Sequence, residues 1–517
     1  MNARVDQAWD VIVIGTGIGG GTAGRKLAEA GLKVLFVEQG PSGYRAEQTR
    51  LDTEMFVPEA RLARGFWPTP MTATVDGYES TFYGPLGAGV GGSSVFYAAT
   101  FERPERHDLD SSNARPHPSG GWPISYDAFT PYMTEAESLY AVRGTQNPLA
   151  NTPANLAEPA PMNPADSKIF ERLQTAGMHP YQLHSAVKNL EGCASCFGHK
   201  CPRPCKMDGR SAGVEPALAS GNAAILDMAE VTRLDGKAGQ ITHITARRNG
   251  AEITLKAPVV LLAAGAFGSP RLCLASTSEE HPNGIANSSD LVGRGLMFHL
   301  NEMFAIWPGI ADEAPSKSVG FRDLMWRDNQ RLGMVQAMGI NASYGEILHY
   351  LRLRMSRSAL GRNRISQEAA RLPAALATKM LGSAKIFSGI MEDLPYEENR
   401  VLAPEHGEIR FEYRLHDELR ERRRLFRREI KRAFKGQRMM FLSHAPELNF
   451  GHPSGTMRFG ENPQKAVLRS DGRSHDFNNL YVADASFMPT SMGVNPSLTI
   501  AAQALRVAEA IIKGYRQ

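Results

Sequence analysis

The apolar residues fall into three arrangements: unbroken runs, strict alternation and helical spacing. VIVIG (Val11 to Gly15) is an unbroken apolar run, which predicts a buried strand. A glycine-rich turn follows, and TAGRKLAEAG reads as a helix closed by Gly31. LKVLFVE (Leu32 to Glu38) is a second strand. Together they make one β-α-β unit, which predicts parallel strands in an α/β sheet. The segment Ala257 to Ser276 repeats strand, turn and helix. The C-terminus does so again, with NLYVADAS as a strand, a proline-containing turn, and PSLTIAAQALRVAEAIIKG as a helix.

The middle of the chain has a different rhythm. EIRFEYRL alternates Ile409, Phe411, Tyr413 and Leu415 with polar neighbours, the signature of a half-buried strand in an antiparallel sheet. A helix is predicted from Asp417 to Arg432, its apolar positions being Leu419, Leu425, Phe426, Ile430 and Phe434. Its many arginines are interleaved with Glu418, Glu421 and Glu429, so a solvated face is a better reading than a nucleic-acid patch. The segment Arg352 to Lys385 is also basic, and a lid or a membrane-surface helix are two readings of it. Pro104 to Pro164 is rich in proline and polar residues and reads as loops and short helices, and Gly84 to Ser94 is too rich in glycine for ordinary secondary structure. There is no internal repeat and no low-complexity tract.

Composition narrows the class. With 517 residues, the chain is long enough for two or more domains. A content of 42% apolar and 22% charged residues fits a soluble globular enzyme, and a net charge of +4 is too small to argue for nucleic acid. The first residues, MNARVDQAWDVIVIG, lack the pattern of a secretory signal, and no apolar stretch reaches the ~20 residues of a membrane span. A cytoplasmic location is therefore expected, with export alongside a partner left open.

Gly15, Gly17 and Gly20 fit G-x-G-x-x-G, following a strand and opening a helix. Gly15 allows the tight turn, Gly17 lets backbone approach a pyrophosphate, and Gly20 lets helix and strand pack closely. Phosphates would sit on free N–H groups at the positive end of the helix dipole. Glu38 closes the second strand near the expected ~20-residue interval for an acid that binds ribose hydroxyls, which favours FAD or NAD over NADP. A plain tight turn is the bland alternative, and the strand–turn–helix context disfavours it.

Five ordered blocks decide between FAD and NAD. The run Val11 to Gly40, GAGVGGSS, AAGAFGSPRL, HPSGTMRFG and NLYVADASFMPTSMGVNPSLTIAAQALR resemble the glucose-methanol-choline (GMC) oxidoreductase family in sequence, order and spacing. The resemblance spans nearly the whole chain and is loose in the middle. It implies an α/β protein with a Rossmann-like FAD-binding domain and a discontinuous substrate domain built on an antiparallel sheet. The implied division gives residues 8–45, 80–104, 210–300 and 448–517 to FAD, and 46–79, 105–209 and 301–447 to the substrate domain and cap segments. Beside the three glycines and Glu38, the resemblance places Gly92, Ser93, Val231, Ala264, Asp484 and Pro496 against FAD. Some members attach FAD to a histidine where this chain has Phe96, so noncovalent FAD is expected here.

The same resemblance supplies the chemistry. His452 matches the family's active-site histidine and Asn495 its partner position. Oxidising an alcohol needs a base for the hydroxyl proton and an acceptor for the hydride at flavin N5. Histidine titrates near working pH, and an asparagine can donate to the developing oxyanion. Pro496 suits the first turn of a helix whose dipole would favour reduced flavin. His299 and His475 have no such support and read as structural, while Glu392 and Asp393 resemble a substrate-domain strand end that contacts substrate. The expected partners are a small-molecule alcohol and either oxygen or an electron carrier. A flavoprotein turned to lyase or isomerase chemistry, or a flavin-binding module, is the competing class. No motif in the middle specifies sugar, sterol, aromatic alcohol or choline.

Cys193, Cys196, Cys201 and Cys205 form a compact cluster. Thiolates so close can hold an iron–sulfur cluster or zinc, the latter perhaps with His199, or can pair as disulfides or remain free. Some GMC dehydrogenases bind a three-iron cluster in a similar segment, but with adjacent cysteines where this chain separates Cys193 and Cys196. Cys273 reads as a small core residue.

Overall fold

The computed structural model describes residues 7–45, 57–310, 317–356, 358, 361, 363–405 and 407–516. Residues 46–56 of the expected substrate domain, parts of the basic segment after Arg352, and Gln517 lie outside these. The four strands predicted from the apolar runs enter one five-stranded sheet. Its order is Leu480–Val482, Val259–Leu262, Val11–Ile14, Val34–Val37 and Ala223–Leu226, and every pairing is parallel. Ile14 pairs with both Val37 and Leu262, so the strands end together and their C-terminal edge forms one ledge. Such an edge is where parallel α/β sheets bind ligands. Val11–Ile14 and Val34–Val37 are buried at every position, which is why they read as continuous hydrophobic runs.

Helices Ile18–Glu29 and Ser497–Arg516 pack on this sheet. Ala23, Leu27 and Ala28 meet Ala504, Val507, Ala508 and Ile511 in one apolar cluster. The helices come close because small residues face the strand ends. A Cβ on Gly19 would lie 1.5 Å from the carbonyl oxygen of Ala483.

A second, six-stranded sheet is antiparallel throughout. Its order is Arg438–Phe441, Leu300–Trp307, Lys385–Met391, Gly333–Asn341, Val319–Phe321 and Tyr181–Gln182. The central strand Lys385–Met391 is buried along its whole length, so both faces of the sheet are covered. Register assigns the faces. Phe304, Ala337 and Phe387 share one face, which carries the helix Asp417–Ala433 with Phe426 and Ile430 against Gly389. Asn301, Ile390, Met334, Gln336 and Ser388 share the other.

Three sequence readings need correction. Arg410–Tyr413 is a half-buried strand, but it belongs to a separate four-stranded mixed sheet and pairs parallel with Met71–Val75. Alternation reports burial on one face and says nothing of the partner. The stretch Pro104 to Pro164 contains the 14-residue helix Tyr126–Leu139, which carries Pro131 inside it. Burial of Tyr126, Phe129, Met133 and Ala136, with the Ser125 N-cap, outweighs the bond that the proline removes. Finally, the arginines of Asp417–Ala433 are not all solvated. Arg422 and Arg423 are buried, Arg422 donating to the carbonyl oxygens of Arg331 and Glu392 and Arg423 pairing with Glu302. The basic segment after Arg352 lies in the helices Tyr344–Met355, Arg364–Ala369 and Arg371–Leu381 and the start of strand Lys385–Met391. Among the described residues no helix is long and apolar enough to cross a membrane.

Gly19→Ala is expected to cost roughly 1–3 kcal/mol or more, because a methyl group must enter a backbone contact rather than displace a side chain. Thermal unfolding of purified protein checks it, and the midpoint should fall by several degrees.

Candidate active site

A cavity of about 560 Å³ opens along the C-terminal edge of the parallel sheet. The glycine-rich turn after Val11–Ile14 forms its floor. Gly15 has φ +96°, and a Cβ there would lie 2.5 Å from the Ala263 carbonyl oxygen. A Cβ on Gly20 would lie 2.1 Å from the Gly15 carbonyl oxygen. Gly17 behaves differently, because a Cβ there meets no atom within 4 Å although the residue lines the cavity. Its bare side faces the space a ligand would fill. Helix Ile18–Glu29 starts there with no side-chain cap and no acid in its first turn, leaving amides free for an anion.

Glu38 also lines the cavity, but it is tied into the turn. One carboxylate oxygen accepts from Thr16 N at 3.1 Å and Thr16 Oγ1 at 2.5 Å, and the other accepts from Gly40 N at 3.1 Å. Burial pushes its pKa up. Thr16 Oγ1 accepts from Gly91 N at 3.1 Å, joining the two glycine-rich turns. Thr16 was missed by sequence reading, since the fingerprint assigns no role to its second position. Gly92 abuts Gly17, and Gly92, Ser93, Val231 and Ala264 all line the cavity. Asp484 lines it too, yet its oxygens accept from Gly265 N, Ser269, and both N and Oγ of Ser486 at 2.5–2.9 Å. It fastens the ends of two strands together. Pro496 caps helix Ser497–Arg516, its carbonyl accepting from Ile500 N at 3.0 Å, so it stands one place before the first helical residue. The N-terminus of this helix faces the cavity through Asn495, Pro496 and Ser497. Phe96 lines the wall, stacked on Phe66 at 3.8 Å between ring centroids.

His452 lies in the same cavity, with Nδ1 3.1 Å from Nδ1 of His299. His299 was expected to be merely structural, and the structure sets it directly behind His452. His299 is 1% exposed and its Nε2 is 3.0 Å from the Met492 carbonyl oxygen. A carbonyl can only accept, so His299 carries its proton on Nε2 and presents a bare Nδ1. His452 Nδ1 stands between that nitrogen and the Nδ2 donor of Asn449, so the two contacts compete to set its tautomer. Burial lowers the His299 pKa to about 4, and burial with His299 holds His452 well below the ordinary histidine value. Both rings are therefore neutral near pH 7. Asn449 Nδ2 stands 3.1 Å from His452 Nδ1, while its Oδ1 accepts from Gly451 N and so fixes the amide. Asn495 is 8% exposed and its Oδ1 is buried without a partner.

Glu392 and Asp393 do not line the cavity. Glu392 pairs with Arg331 at 2.6 Å, and Asp393 accepts from Phe298 N at 2.9 Å and from the Tyr413 hydroxyl at 2.8 Å. They hold the strand that leads to His299, and burial raises Asp393 to about 7. His475 is bonded to the Gly460 carbonyl oxygen at 2.9 Å, in line with a structural role.

The four clustered cysteines are free thiols packed around Ala99 and Val187. Cys193 and Cys205 have sulfurs 3.5 Å apart, and Cys196 shares a hydrogen bond with Cys201. Among the described residues no group of three His, Cys, Asp or Glu side chains is arranged to hold a metal. The four thiols thus form two neighbouring pairs in one cluster. Cys273 is a buried core residue.

A nucleotide cradle on a parallel sheet, continuous with a histidine pocket under an antiparallel sheet, defines a flavin-dependent oxidoreductase. The chain belongs to the GMC oxidoreductase family, whose N-terminal model matches residues 10–301 and whose C-terminal model matches residues 396–504. Paromamine 6'-oxidase of Streptomyces fradiae is 27% identical, over 98% of this chain and 92% of that protein. The fructose dehydrogenase large subunit of Gluconobacter japonicus is 26% identical over 98% of both. Pyridoxine 4-oxidase from Mesorbium loti shares the fold, with a TM-score of 0.63 and 18% identity over 97% of this chain and 99% of that one.

The open side of Gly17 fits a bound dinucleotide. Gly17→Ala should leave the unfolding midpoint of the flavin-free protein unchanged and weaken FAD binding by roughly tenfold or more, as a methyl group takes ligand space. Flavin fluorescence titration of apoprotein measures it.

Proposed function

We propose that this chain oxidises the CH–OH group of a small alcohol, with His452 as the base and noncovalently held FAD as the hydride acceptor. That it is an FAD-dependent oxidoreductase acting on a hydroxyl follows from its family. The residue roles rest on one observation above the others: a neutral histidine that lines the cavity while its Nδ1 is held between His299 and Asn449. When bound, FAD supplies the electron sink that takes the hydride.

The protein's own part is as follows. Asn495, whose buried Oδ1 no protein group engages, orients the substrate hydroxyl. His452 takes the hydroxyl proton at Nε2 as the C–H bond gives up its hydride, so the alcohol loses one proton and one hydride and becomes a carbonyl. His299 is a positioning residue, held by Met492 and set against His452 Nδ1. The N-terminus of Ser497–Arg516 offers a positive dipole end to the cofactor. Gly17 and the free amides that follow it hold the pyrophosphate, Gly15 and Gly20 shape the turn behind it, and Gly92, Ser93, Val231 and Ala264 line the rest of the cradle. Glu38 reaches ribose only through the lone pairs that Thr16 and Gly40 leave unused. Phe96 offers no nucleophile, which supports a noncovalent cofactor.

We assign residues 8–45, 80–104, 210–300 and 448–517 to the FAD side and 46–79, 105–209 and 301–447 to the substrate side, a division supported by the five parallel strands, which all fall in the first set. Electrons leave to oxygen or to a carrier. Retention of both His452 and Asn495 favours oxidation over lyase or isomerase chemistry.

His452→Ala should slow anaerobic flavin reduction by roughly 10²–10⁴-fold with FAD content unchanged, and reduction at the parent rate would remove it as the base. The pH dependence has a definite sign. His452 has its pKa lowered, so it is already neutral at pH 6, and the reduction rate should stay flat from pH 6 to 8 and fall only in more acidic solution. In His299→Phe, His452 loses the ring that is set against its Nδ1 and helps lower its pKa, so the rate should fall and the acid limb should move, again with flavin retained. A limb at the parent position would make His299 a packing residue only.

A further inference from the structure

The cavity continues past His452 beneath the face of the antiparallel sheet opposite helix Asp417–Ala433, and two side chains there have unmet needs. Asn301 and Gln336 both line it. Asn301 Oδ1 and Gln336 Oε1 are buried acceptors with no hydrogen-bond partner, and Gln336 is 2% exposed. Register puts the two on one face. Asn301 pairs across to Ile390, Ile390 pairs across to Met334, and Gln336 lies two residues further along that strand. Asn301 is also two residues beyond His299 in the chain. The unmet acceptors thus begin beside the histidine pair and extend away from it.

A buried amide oxygen without a partner is costly, and apolar side chains at these positions would avoid that cost. Such a group is explained when a ligand supplies the donor. Lys317 identifies which donor. It is 7% exposed, lines the same wall, and its Nζ donates to Thr100 Oγ1 at 2.5 Å and to the carbonyl oxygen of Ala337, the neighbour of Gln336, at 3.4 Å. An ammonium group brought to Gln336 would meet another amine, whereas a neutral hydroxyl can donate to Gln336 and accept from Lys317.

We propose that this wall is a subsite for the non-reacting hydroxyls of a polyol or neutral sugar, with Asn301 and Gln336 accepting from them while another hydroxyl of the same molecule stands at His452. The proposal rests on the alcohol-oxidising reading and names its substrate class. It makes Asn301 and Gln336 specificity residues that touch substrate and take no part in proton transfer.

The test is anaerobic flavin reduction by the FAD-loaded enzyme. Hexitols, aldohexoses and 1,2-propanediol are compared with 1-hexanol and 1-propanol, and 6-amino-1-hexanol serves as the ammonium probe. At least one polyhydroxylated probe should exceed its mono-ol in kcat/KM by about 10–100-fold or more, the discrimination expected when buried acceptors are left unpaired. Gln336→Met, close in volume and apolar, should reduce that ratio by about tenfold or more, mainly through KM, with FAD content and unfolding midpoint as controls on folding. Asn301→Leu provides a second variant if Gln336→Met fails to load flavin. A mono-ol that matches the polyols, a ratio unmoved in both variants, or preference for the amino alcohol would overturn the subsite. If no alcohol at all reduces the flavin while free dithionite does, the oxidation reading itself fails, a result distinguishable from loss of the subsite alone.

Discussion

The structure depends on a backbone contact that permits no side chain. Residues 15–20, 263–265 and 483–484 come from three distant parts of the sequence and meet at one ledge, where the Gly15 and Gly19 positions are bounded by the Ala263 and Ala483 carbonyl oxygens. Nothing larger than hydrogen fits at those positions. Asp484 then ties the ends of Val259–Leu262 and Leu480–Val482 through Gly265 and Ser269. With these held together, the free amides of helix Ile18–Glu29 and the N-terminus of Ser497–Arg516 open on the same cavity. The cofactor cradle and the catalytic side chains share an anchor because both rest on that contact.

The substrate sheet must be fixed against this frame, and buried polar ties do so. Asp393 N donates to Ser491 Oγ at 2.8 Å, Met334 N donates to the Gly493 carbonyl oxygen at 2.9 Å, and His299 donates to Met492. Met492 itself sits at φ +65°, a strained position for a side chain that carries a Cβ. Buried ion pairs such as Arg331 with Glu392 add little net stability because desolvation offsets attraction. Their effect here is positional. The loop carrying Asn495 and the strand following His299 are held by the same sheet, so the two groups that act on one oxygen move together.

Much of this was legible in the sequence where local pattern and function coincide. The unbroken apolar runs gave the parallel sheet, and the glycine spacing with Glu38 gave the cradle. His452 and Asn495 came with motifs strong enough to set them in one cavity. What sequence reading lost was tertiary in origin. His299 lies in an apolar stretch, GLMFHL, and looks like a core residue until the chain folds it behind His452. Glu392 and Asp393 resemble a strand-end segment of the family's substrate domain, yet both are consumed by neighbours the sequence does not announce. The parallel partner of Arg410–Tyr413 lies more than three hundred residues upstream, and alternation carries no information about it.

Chemistry and selectivity then share one cause. Burial among protein atoms lowers the His452 pKa, because the charged imidazolium loses its solvation, and this keeps the ring neutral. The same burial takes solvent from a hydroxyl that enters. A hydroxyl at His452 recovers its lost bond through the histidine itself. One placed elsewhere in the cavity must find a protein acceptor or bear the full desolvation penalty. Asn301 and Gln336 answer that need at fixed positions on a rigid sheet, which water would do without selectivity. A pocket buried enough to hold the base neutral therefore has to provide for the polar remainder of its substrate from its own wall, and the position of those amides sets which molecules can present a hydroxyl to the histidine.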